Sequence, residues 1–168
     1  EIKTRHAHAE HFLGTLDDRT GLFNQQHAAA RKTLLRDSEN LRVAWQWAAA
    51  SGRYDLLRRA TPTFWYFHEL CFLLHEGEAL FAQALQTVAA QTPPAMTVAL
   101  HQVLQGDLQA RQGWFQSRIG HLTAAEPLLA QALITLRQQN DQAALADLLH
   151  HFSTLERYRG SFDQGQAY

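Results

Sequence analysis

The chain has 168 residues, 46% of them apolar, and sets 15 basic against 16 acidic side chains for a net charge of −1. That is enough apolar material for a continuous core, while the balanced charge gives no field to draw in a phosphate backbone or an anionic lipid surface, so direct binding of nucleic acid or membrane is not expected. A single cysteine, Cys71, rules out an internal disulfide framework, and no apolar stretch is long enough to span a bilayer, which fits a reducing cytoplasm.

Ala, Leu, Gln, Arg and Glu abound while Val and Ile are scarce, so the expected class is all-α. From Ile2 to about Leu16, the residues His6, Ala9, Phe12, Leu13 and Leu16 recur at spacings of three and four, the mark of one apolar helical stripe. Asp17-Asp18 and Gly21 end it, and a short second helix runs from Gln25 to Arg36. Ser38 can cap a third helix, with Glu39 in its first turn and Leu41, Ala44, Trp45 and Ala48 facing inward as far as Gly52.

Asp55 can cap a fourth helix reaching about Leu74, but Pro62 removes the amide partner of the Arg58 carbonyl. Either a kink follows, or Thr61 caps a fresh helix with Pro62 at its first position. A fifth helix spans about Glu76 to Ala90 and stops before Thr92-Pro93-Pro94, the clearest break in the chain. Long helices are then expected near 95–118, 123–138 and 142–158. The fifth helix and one of these share a repeat: the octapeptide Glu78 to Leu85 returns as Glu126 to Leu133 with 6 of 8 residues identical. Gly120-His121-Leu122 also returns 40 residues later as Gly160-Ser161-Phe162, a period suited to a pair of antiparallel helices.

Around these repeats, Gly113, Gly120, Ala125 and Ala132 resemble the tetratricopeptide pattern, in which small residues let paired helices approach and a glycine makes the turn. The next unit keeps Gly160 and Phe162 but has Ser153 and Gly165 where the pattern prefers Gly and Ala. Earlier in the chain, Arg5-His6-Ala7, Glu39-Asn40-Leu41-Arg42, Ala44, Trp47-Ala48, Phe64-Trp65 and Glu76-Gly77 stand in an order similar to the helical region of STAND-type signalling ATPases and of large LuxR-like or antibiotic-regulator-like transcription activators. Pro62 departs from that likeness, because the family's helix is unbroken there. The resemblance implies a helical-repeat region that restrains a nucleotide switch or senses an inducer, with the output domain elsewhere.

No Gly-x-x-x-x-Gly-Lys-[Ser/Thr] loop occurs, so no nucleotide or other cofactor is expected on this chain. His6, His8 and His11 are close in sequence but not on one helical face, and His68-Glu69 and His75-Glu76 lack the second histidine of a zinc motif, which leaves no metal site in view. Ser117 lacks the Gly-x-Ser-x-Gly elbow of a nucleophile, so no catalytic residue is expected. The aromatic cluster that includes Trp65 and Tyr66 has two readings, a ligand pocket or core packing, with packing the stronger. Glu39, Asn40 and Arg42 read either as contacts to another domain or as a solvated helix start. Gln109, Gln112, Gln116, Arg118, Gln138, Gln139 and Arg157 are candidates for a concave binding face or for ordinary solvated helix.

These expectations combine into an α-solenoid of about eight helices in antiparallel hairpins. An atypical region over 1–92 would follow a nucleotide-binding module outside this chain, and tetratricopeptide-like units would fill 93–168, the last of them cut short. Because residue 1 is Glu and the last residues read as an interrupted helix, the chain is expected to be a segment of a larger cytoplasmic regulator. Its partners would be proteins, other domains of the same protein, or a small-molecule inducer.

Overall fold

A computed structural model describes residues 2–16 and 27–160. Among the described residues there are eight α-helices, one 3₁₀ turn and no strand. The helices are α1 (Ile2–Gly14), α2 (His27–Arg36), α3 (Ser38–Ala50), α4 (Tyr54–Leu70), α5 (Leu74–Ala89), α6 (Val98–Arg118), α7 (Leu122–Gln139) and α8 (Gln142–Arg159), with the 3₁₀ turn at Ala95–Thr97. The expected all-α class is therefore what the chain adopts.

Two compact units are present, residues 1–73 and 74–168. The division falls between Leu73 and Leu74 instead of at Thr92-Pro93-Pro94, because α5 packs on α6 and so joins the C-terminal helices. In the first unit α1 lies on α3 and α4, and α3 also meets α2 and α4. Its core holds Ala9, Leu13, Leu16, Leu41, Ala44, Trp45, Ala48, Phe64 and Phe67, all essentially without solvent contact. The α1 stripe is thus covered along Ala9, Leu13 and Leu16, while His6 stays exposed at its edge.

Local chemistry differs from expectation at three places. Ser38 is the first residue of α3 and not its cap: Asp37 precedes the helix, and its carboxylate turns to the Arg36 guanidinium at 3.0 Å instead of to an α3 amide. Asp55 likewise sits inside the first turn of α4, paired with Arg53. Helix α4 runs unbroken through Pro62, and Thr61 starts no new helix because its hydroxyl bonds back to the Leu57 carbonyl at 2.8 Å.

In the second unit each helix packs on the next, and α6 also meets α8. Gln112 and Gln116 near the end of α6 reach Glu78 near the start of α5, while Gly106 and Gly113 lie against Leu136 and Leu129 in reverse order, so α6 runs antiparallel to both neighbours. Arg111 to Asp147 and Arg118 to Tyr158 keep the same order, so α6 and α8 are parallel.

The duplicated octapeptide has a packing meaning. Gly77, Phe81, Ala84 and Val88 of α5 and, 48 positions on, Ala125, Leu129, Ala132 and Leu136 of α7 are all buried, and both helices flank α6. A second pattern runs through α4, α6 and α8. The quartets Leu56/Ala60/Thr63/Phe67, Leu104/Leu108/Arg111/Phe115 and Ala144/Leu148/His151/Leu155 are buried at the same i, i+4, i+7, i+11 spacing.

Four connections share one geometry. Gly52, Phe72, Gly120 and Asn140 have φ of 66°, 57°, 87° and 55°, and each is followed by one residue and then a helix. At Gly120 the amide bonds the Ser117 carbonyl at 3.2 Å and the His121 amide bonds the Gln116 carbonyl at 2.8 Å, which closes the last turn of α6. The other three repeat this pair of bonds. A bulky residue at such a position is strained, so Phe72, which is 77% exposed, is the exception among them.

Candidate functional site

Glu39 and Asn40 are exposed and Arg42 partly so on the outward face of α3, where Arg42 and Glu39 form a two-bond ion pair at 2.5 and 3.0 Å. The guanidinium holds the Glu39 carboxyl below its ordinary range. In solvent such a pair adds little stability.

Trp65 and Tyr66 are both part-buried neighbours on α4 whose rings lie 6.2 Å apart. Neither lines the cleft described below, and among the described residues the fully enclosed Trp and Phe rings are Trp45, Phe64, Phe67, Phe81 and Phe115. The aromatic cluster is therefore divided: Trp45 and Phe64 pack at 5.2 Å in the core, while Phe72 points to solvent.

Gly113 of α6 lies tight against α7. A Cβ there would stand 2.7 Å from Leu129 and 3.3 Å from the Ala125 carbonyl. Ala125 and Ala132 face α6 with no exposure, and Gly120 and Gly160 take left-handed φ of 87° and 78° at the ends of α6 and α8. Phe162 and Gly165 lie outside the described residues.

The polar candidates separate by location. Gln112 and Gln116 both donate to Glu78 Oε1, at 3.1 and 2.7 Å, and Arg118 donates to Tyr158 at 2.7 Å. Gln109 is part-buried on α6, Gln139 pairs with Gln102 at 2.9 Å, and Gln138 and Arg157 are exposed.

Two features were not visible in the sequence. The first is a polar seam where α6 meets α8. Arg111, 1% exposed, donates to Asp107 at 3.1 Å and to Asp147 at 2.6 Å, and the Asp147 side chain reaches solvent. His151 beside it is fully enclosed; burial, then Arg111, then His150 push its pKa well below the usual 6.5, so the ring is neutral. Trp114 stacks on His150 at 5.8 Å and meets the tilted His151 ring at 4.6 Å, and Arg118 sits 6.0 Å from the Trp114 centroid. Arg111 and His151 stand in register with buried Leu108 and Leu148, but a polar side chain at such a spacing is buried only because α6 and α8 cover each other there.

The second feature is a cleft of about 460 Å³ between α1 and α3 in the first unit. Thr4, Arg5 and His8 form one wall, and Val43, Gln46, Trp47 and Ala50 the other. The walls are fixed by the buried Ala9 and Leu13 and by Arg53, which holds Glu10 at 2.6 Å and also bonds His6. His6 in turn meets the Trp47 ring edge-on at 5.9 Å.

Reactive chemistry is sparse. Ser117 commits its hydroxyl to the Gly113 carbonyl at 2.9 Å, and burial raises the Cys71 thiol, which keeps it protonated. Among the described residues no three His, Cys, Asp or Glu side chains are grouped to hold a metal ion, and no helix is long and apolar enough to cross a membrane. No family model, curated protein or solved structure matches the chain.

Proposed function

We propose that the chain is a non-catalytic helical-repeat module, an α-solenoid of tetratricopeptide-like hairpins, that makes protein or inter-domain contacts within a multidomain cytoplasmic regulator of the STAND or LuxR-like kind. The observation that carries this reading is the recurrence of one buried quartet on α4, α6 and α8 together with one helix connection used four times. Such units cannot each close a core alone; they bury their faces on neighbours and leave extended surfaces for a partner. The outward face bearing Glu39, Asn40 and Arg42 is the proposed contact to another domain. A photo-crosslinking side chain at Asn40 in the whole regulator tests this: it should capture a defined domain or protein far more efficiently than the same group at exposed Ala143. Equal, diffuse yields from the two positions overturn the contact.

The cleft between α1 and α3 favours a second reading, a small-molecule sensor, since its volume lies in the roughly 300–1,000 Å³ range of ligand sites and it joins a large aromatic ring to a few polar groups.

A further inference from the structure

We infer that the seam between α6 and α8 is an acid-released catch: a proton taken up at His151 sets two cations side by side in a buried interface, and α8 parts from α6 while α5 stays packed on α6. The catch itself is Arg111. Buried on α6, it donates to Asp107 of its own helix at 3.1 Å and reaches across to Asp147 of α8 at 2.6 Å. His151 of α8 is buried in the same seam, where the Trp114 ring of α6 lies 4.6 Å from it and excludes water. A neutral imidazole is tolerated in such a place, whereas an imidazolium requires water or a carboxylate.

The groups around His151 oppose its charge on balance. From α6 the Arg111 guanidinium disfavours the proton and the Ala110 carbonyl favours it, while from α8 His150 disfavours it. Both carboxylates of the seam are turned to Arg111, and Asp147 is half exposed and screened by solvent. Helix α7 faces α8 with Leu129, Ala132 and Leu136, and its Glu126 is engaged by Arg159 at 2.7 Å, as is Glu156 of α8 at 3.6 Å. The closed seam therefore resists a proton that the parted one accepts, since parting hydrates both cations. Helix α8 is the element that yields, because it packs less extensively on α6 and α7 than those two pack on each other.

Amide hydrogen exchange of the whole chain at pH 7.5 and pH 5.5, corrected for the intrinsic pH dependence of exchange, tests the catch. An imidazole of ordinary pKa gains its proton across this interval, so opening over residues 144–156 of α8 should rise about tenfold, with α5 as protected as before. The Trp114 indole Nε1–H resonance, identified by its loss in Trp114→Phe, should shift over the same interval. His151→Leu should remove both effects. Should that variant not fold, His151→Gln takes its place, being uncharged at either pH and able to donate to the Ala110 carbonyl. His150 is exposed, so His150→Gln should leave the rise in place. A rise that persists without an imidazole at position 151, or that disappears in His150→Gln, puts the titration elsewhere and overturns the catch. So does an equal loss of protection in α5, which marks a general loosening, and so does exchange in α8 that is the same at both pH values.

Discussion

Phe72 takes a left-handed backbone at the end of α4, where the equivalent connection after α6 has Gly120. Its ring is 77% exposed, so little burial repays the strain. Phe72→Gly should therefore raise stability by about 1 kcal/mol, read as an increase in the urea midpoint at unchanged slope. Tryptophans differ in the same local way. Trp45 has no exposed surface whereas Trp65 is part-buried, so Trp45→Ala should cost roughly 3–5 kcal/mol and Trp65→Ala distinctly less. Equal losses at the two positions in denaturant melts would count against the division of the aromatic cluster described above. His151 makes stability depend on pH. The folded state holds its ring neutral, with a pKa below the ordinary 6.5 of the unfolded chain, so the unfolded state binds the extra proton first on acidification. Stability should be full above about pH 6.5 and fall as pH drops below it, with the fall flattened in His151→Leu. Melting temperatures from pH 8 to pH 5 check the sign.

At the scale of the element, the helices are spaced by their smallest residues. Ala at position 113 would gain helix propensity of about 1 kcal/mol in isolation. Its Cβ would instead press on Leu129 and approach the Ala125 carbonyl, which is backbone and cannot swing away. Gly113→Ala should thus destabilise the second unit by about 1–3 kcal/mol, measured as faster amide exchange in α6 and α7. The α6–α8 seam obeys a different balance. Removing Arg111 leaves Asp107 buried without its cation, so Arg111→Met should cost about 3–5 kcal/mol, and the double change with Asp107→Leu should recover much of that loss. If the double variant is no better than the single one, the ion pair itself contributes the stability.

For the whole molecule, two compact units are present, and within the second one each helix packs on its neighbour in sequence, since an amphipathic helix with a short connection finds its partner next door. The 48-residue offset between the α5 and α7 faces exceeds the 40-residue offset between α6 and α8 in large part because residues 90–97 form an eight-residue connection where α7 and α8 are joined by Asn140 and Asp141 alone. Since the whole sequence lacks a phosphate-binding loop, saturating ATP should leave the melting temperature unchanged. A saturable shift would require a nucleotide site of another kind.

Much of this was legible from residue order. The apolar spacing of Leu41, Ala44, Trp45 and Ala48 marked the buried face of α3, and the octapeptides at Glu78 and Glu126 marked two equivalent faces. These signals are local, because helix period and turn chemistry act within a few residues. Which neighbour covers a face is not local. Nothing in periodicity says that α5 packs on α6, that Trp45 is enclosed while Trp65 is part-buried, or that Trp47 and Arg5 line one cleft. Nor does it say that Arg111 and His151 hold core positions, since a buried polar side chain is tolerated only where a second helix supplies partners such as Asp147 and Trp114. Periodicity assigns each residue a direction around its own helix axis; packing between helices decides what lies in that direction.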